Sequence, residues 1–153
     1  MQNVKIESFK VIGILARTTN ENGQAAQDIP QLWGRFMAEG ILEKIPHKID
    51  DNILSIYTNY ESDHTKPYDT ILGCKVSSLN MVPDGMVGRS FDGGTYTKFV
   101  SKGDLTKDAV YNTWNEIWNT DLNRTYKADF DVYGEKAQDP TNGEIDIFVG
   151  INE

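Results

Sequence analysis

One pattern is written twice along this 153-residue chain: strand, helix, strand, strand. No other feature limits its fold as much. In the first half, residues 4–18 (VKIESFKVIGILART) interleave polar residues with Val4, Ile6, Val11, Ile12 and Ile14, as a half-buried strand does. Ile29, Leu32, Trp33, Phe36 and Met37 then share one helical stripe. Asp28 is placed to cap that helix, Pro30 to sit in its first turn, and Gly40 to end it. Strands at 53–60 and 68–76 follow, joined by a polar turn. A connector with Pro and two Gly, residues 80–88, leads into the second copy. That copy has a strand at 89–101, a helix over 106–122 with Val110, Trp114, Ile117 and Trp118 on its stripe, and strands at 128–134 and 144–151.

Superposing Trp33 on Trp114 aligns the two helical stripes. Superposing Ile71 on Ile147 without a gap places Ile56 on Val132, Tyr57 on Tyr133, and Tyr68 on Glu144. Neither half alone covers both faces of its strands. The expectation is therefore one α+β domain over residues 1–153. It would hold repeats at about 4–79 and 87–152, a pseudo-twofold axis, and one antiparallel sheet with two helices on one face.

Fifteen Lys and Arg stand against 23 Asp and Glu, a net charge of −8. Nucleic-acid binders and proteins docking on anionic membrane carry the opposite sign, so direct contact with either is not expected. A negative field does concentrate cationic ligands, although it equally serves solubility alone. The single cysteine, Cys74, cannot make an internal disulfide and reads as a small core residue. The amino terminus lacks the basic start and apolar run of a signal peptide, and no stretch is long and apolar enough for a membrane helix. A cytoplasmic location is expected.

Enzyme signatures are missing. There is no nucleophile elbow, phosphate loop or dinucleotide fingerprint. His47 and His64 lie far apart with no metal-ligand spacing, and read as surface residues; no metal or cofactor is expected. The chemistry instead lies in 16 aromatic residues. Trp33, Trp114 and Trp118 lie on helix stripes, and Tyr57, Tyr68, Tyr96, Tyr133 and Phe148 lie on strands. Such rings serve either as core or as flat walls that attract cations. Glu144 opens the last strand, sharing a face with Asp146 and Phe148 by alternation. Its repeat mate in the gapless alignment is Tyr68. That places a carboxylate near the pseudo-twofold axis, as charge partner or as general acid or base; an exposed strand-start glutamate fits the same pattern.

Four segments in order carry a resemblance: Pro30-Gln31-Leu32-Trp33-Gly34-Arg35-Phe36, DFDVYG at Asp129–Gly134 with EIDIFVGI at Glu144–Ile151, FKVIGILART at Phe9–Thr18, and YDTILGCKV at Tyr68–Val76. From about residue 4 onward the chain resembles the GyrI-like, AraC-type effector-binding domains, especially stand-alone members that include integron-cassette proteins. The resemblance implies a duplicated β-α-β-β fold with a central groove for drug-like, often lipophilic cationic molecules. It also implies an acidic residue at Glu144 and aromatic walls at Tyr68, Trp33, Trp114 and Trp118. Tyr57, Tyr96 and Phe148 join them as further candidate ligand-binding residues. Regulator members add a helix-turn-helix that this sequence does not show, so any control of transcription would need a separate partner. Two other roles occur among relatives: hydrolysis of strained-ring genotoxic compounds by a pocket glutamate, and inhibition of DNA gyrase by binding it.

Overall fold

The computed structural model describes residues 2–152. Its elements are β1 (Gln2–Ile6), β2 (Phe9–Thr18), α1 (Ala25–Ala38), α2 (Ile41–Lys44), β3 (Ile53–Thr58), β4 (Tyr68–Val76), β5 (Val87–Phe91), β6 (Gly94–Gly103), α3 (Ala109–Trp118), β7 (Arg124–Tyr133) and β8 (Gly143–Ile151). The predicted strands at 4–18 and 89–101 each break in two, at Glu7-Ser8 and at Asp92-Gly93. The helices also begin elsewhere than the sequence suggests. α1 starts at Ala25, so Asp28 is no cap; it accepts hydrogen bonds from the Thr18 hydroxyl (2.8 Å) and the Gln24 amide (3.0 Å). Pro30 lies beyond the first turn, and Gly40 ends the helix in the left-handed region at φ +61°.

All eight strands form one antiparallel sheet in the order β1-β6-β8-β7-β3-β4-β2-β5. Read backwards, the order maps each strand onto its counterpart in the other half. The two edge strands are exchanged: β1 pairs with β6, and β5 pairs with β2. Ile6 and Phe9 lie three residues apart in the chain but near opposite ends of the sheet, so the sheet must curl to bring those ends together. The crossing is tight, since a Cβ on Gly93 would stand 2.4 Å from the Ile6 carbonyl oxygen.

One sheet face buries Phe9, Val11, Leu54, Ile56, Ile71, Tyr96 and Phe130. The other face carries the helices. There α1 covers Ile12, Ile14, Leu72 and Cys74, and α3 covers Ile145, Ile147 and Val149. Cys74 is a core residue, as expected, and burial pushes its thiol up to about 12.

The symmetry runs through the centre of the β3–β7 ladder. Residue pairs there are Leu54 with Val132, Ser55 with Asp131, and Ile56 with Phe130. Shifting β3 onto β7 by 76 positions sends Ser55 to Asp131 and Tyr57 to Tyr133, so the axis passes between Ser55 and Asp131. The shift from β4 to β8 is one residue less. Ile56 faces Ile71 in one hairpin, whereas Val132 faces Asp146 in the other. The structural mate of Ile71 is thus Asp146, and that of Tyr68 is Gly143. The gapless alignment of these strands is off by one, which exchanges the faces of β8 relative to β4.

Candidate functional site

Between α1, α3 and the helix-bearing face lies a cavity of about 490 Å³. Trp33, Tyr57, Tyr68, Trp114 and Trp118 line it, together with Tyr60, Tyr111 and Tyr133. Five of the eight residues proposed from sequence therefore come together. The other three do not. Tyr96 belongs to the opposite core beside Phe130, with ring centroids 5.5 Å apart, and Phe148 stacks on the same ring at 4.9 Å. Glu144 shares the strand face of Phe148. Its carboxylate pairs with Lys136 (2.9 Å) and Lys102 (3.4 Å), and the Lys136 hydrogen bond holds its pKa below the ordinary carboxylate value. Glu144 does not line the cavity, and the carboxylate among the lining residues is Asp108. His64 is a further correction: it stacks on Trp118 at 5.4 Å as part of the cavity wall.

Two aromatic clamps related by the pseudo-twofold axis shape the cavity. Trp33 meets Tyr133 edge to face at 4.8 Å, and its mate Trp114 meets Tyr57, the mate of Tyr133, at 5.4 Å. Tyr133 stands opposite Ile53, while Tyr57 stands opposite Asp129. The clamps are thus four residues apart along the ladder, about 13 Å at the usual rise.

A carboxylate lies beneath the middle of this groove. Asp131, on the axis, is 0% exposed. It accepts hydrogen bonds from the Tyr57 hydroxyl (2.8 Å) and the Trp114 indole N–H (3.1 Å). Among the described residues it has no cationic partner. Burial dominates and pushes its pKa up to about 7, against the pull of the two donors. Its symmetry mate is Ser55, whose hydroxyl donates to the Tyr57 oxygen at 3.1 Å. Two facing aspartates on the axis would repel each other, which gives a physical reason for the symmetry to break there.

A second buried carboxylate is fully neutralised. Asp129, also 0% exposed, accepts from Arg124 Nη2 (2.7 Å), the Tyr60 hydroxyl (2.5 Å) and the Gly150 N–H (2.8 Å). A bulge between Arg124 and Asp129 brings these residues together, with Tyr126 at φ +53° inside it. With Asp131 ionised, Arg124, Asp129 and Asp131 sum to one net negative charge below the aromatic floor.

Sequence reasoning missed Asp131, Asp129 and Arg124. Alternation along Ala128-Asp129-Phe130-Asp131-Val132-Tyr133 already places Asp131 on the face of Tyr133, so that signal was readable. Arg124 was not, because only the bulge turns it inward.

The Cass2 family of integron-associated effector binding proteins matches residues 4–151. This chain belongs to that family. An integron cassette protein from the mobile metagenome of Vibrio cholerae is 28% identical, with a TM-score of 0.78 over 99% of this chain and 95% of its own. YobU of Bacillus subtilis (strain 168), named as a candidate transcriptional regulator, is 26% identical over 145 residues, covering 92% of this Cass2-family chain and 91% of YobU. SAV2435, solved with tetraphenylphosphonium bound, shares the fold at a TM-score of 0.81 and 17% identity, over 99% of this chain and 93% of its own. The Cass2 chain is thus an effector-binding domain of α+β fold, as its sequence implied. No described helix is long and apolar enough to cross a membrane.

Proposed function

We propose that this Cass2-family protein binds a lipophilic cation, with an aromatic body, in the groove between its two halves. The observation that carries this reading is Asp131: a buried carboxylate on the axis, with no cation beside it, under the rings of Tyr57 and Trp114. A cation seated on the Tyr57 ring supplies the missing charge without touching the carboxylate. The ring face contributes roughly 0.5–2 kcal/mol. The carboxylate, on the order of 7 Å away, adds about 2 kcal/mol at an effective dielectric near 20. The net charge of −8 draws such ligands in. The structural neighbour with tetraphenylphosphonium bound supports the same ligand class. The hydrolase reading loses its pocket glutamate, since Glu144 lies on the other face of the sheet.

Calorimetry with methyltriphenylphosphonium and neutral triphenylphosphine oxide tests this. The cation should bind wild type at least tenfold more tightly than the oxide, and Asp131→Asn should erase most of that preference while leaving the oxide unaffected. Equal binding of both compounds to wild type would remove the charge argument.

A further inference from the structure

Arg124 is the one cationic side chain among the cavity's lining residues, and its side chain is only 4% exposed. A guanidinium carries five N–H donors. Among the described residues Arg124 makes one hydrogen bond, from Nη2 to Asp129, and its Nε is buried with no acceptor. Donors left unmade in a buried group cost free energy, so a partner there is worth more than on the surface. The guanidinium is fixed in place: it lies 4.4 Å over the Tyr126 ring and 5.9 Å over Trp114. Around it, the cavity becomes polar. Tyr68 donates to Asn20 at 2.8 Å, Asn20 donates to the His64 carbonyl at 2.7 Å, and His64 Nδ1 is buried without a partner. The other end of the groove, at Trp33, Tyr133, Ile29 and Pro30, has no charged donor among the described residues, only the Trp33 indole N–H and the Tyr133 hydroxyl. Even the symmetry differs here, because the repeat position of Trp118 is Met37, an exposed residue.

We infer that the cavity has two unlike ends: its Arg124 end takes a hydrogen-bond acceptor, a carboxylate or carbonyl, on the same ligand whose cationic aromatic part sits over Tyr57. The preferred ligand is therefore a zwitterionic or acceptor-bearing aromatic cation rather than a simple onium ion. This inference rests on the cation-binding reading above.

Rhodamine B and its methyl ester test it at pH 8, followed by fluorescence anisotropy. They share one cationic aromatic body, but only the acid carries a carboxylate. The ester is the more apolar compound and carries the larger net positive charge, so groove hydrophobicity and Asp131 alone both favour the ester. Wild type should instead prefer the acid, by at least fivefold. The double variant Arg124→Gln/Asp129→Asn, which removes the buried pair together, should reverse that order while still binding the ester. An acid no tighter than its ester on wild type overturns the inference and leaves the cation reading intact. An acid preference that survives in the double variant overturns it as well. Failure of both dyes to bind wild type sinks both readings. The wild-type ratio decides the matter even where the double variant folds poorly.

Discussion

At the scale of the residue, Asp131 is a buried carboxylate that costs the fold stability once it is ionised. Its acid is held at about 7 instead of the ordinary 3.8, so the folded state keeps a proton that the unfolded state releases. The Asp131 contribution to stability therefore falls as pH rises from about 4 to about 7, then levels off, and its full penalty is a few kcal/mol. Asp131→Asn removes the charge while keeping an acceptor for the Trp114 N–H. The variant should melt roughly 3–8 °C above wild type at pH 8, with the gap closing towards pH 4 in scanning calorimetry. A gap that is constant across pH would show that the carboxylate is not the source. Under the proposed cation binding, the same titration governs the ligand: affinity for methyltriphenylphosphonium should fall by up to tenfold per unit as pH drops below 7, because protonation removes the charge the cation meets. A flat affinity between pH 5 and 8 would place the charge elsewhere.

At the scale of the element, the curl of the sheet depends on places where backbones touch. Gly13 of β2 and Gly73 of β4 are directly paired, and a Cβ on Gly73 would stand 2.3 Å from the Ile12 carbonyl oxygen. No side chain can yield there, since the obstacle is backbone. Gly73→Ala should cost about 3 kcal/mol and lower the melting temperature by roughly 6–12 °C. A loss within a degree or two would mean that the strands can slide apart locally. The β7 bulge is the matching device beside the cavity. It alone puts Arg124 and Asp129, an odd number of residues apart, on one face of the same strand. The helix stripes were legible because burial against a sheet imposes a 3.6-residue period on them. The bulge was not, because Arg124-Thr125-Tyr126-Lys127 has no apolar period to betray it.

At the scale of the whole molecule, the exchange of β1 and β5 ties the halves into one unit, since each completes the other's sheet. Fragments 1–86 and 87–153 should each lack a cooperative melt by circular dichroism, and regain one when mixed. A fragment that melts cooperatively by itself would show that the exchange is dispensable. The sequence by itself determined the duplication and the two helix stripes, because these follow from periods within single segments; it left open which of Trp33, Tyr57, Tyr68, Tyr96, Trp114, Trp118 and Phe148 would face a groove rather than a core. Only the tertiary structure decided which face of β8 meets the groove. The two hairpin registers differ by one residue, and a slip of one moves every side chain across the sheet; Glu144 therefore pairs with lysines outside, while Asp131 occupies the axis. Register is a relation between strands, fixed by ladder hydrogen bonds and core packing, and a pattern read along one strand does not contain it.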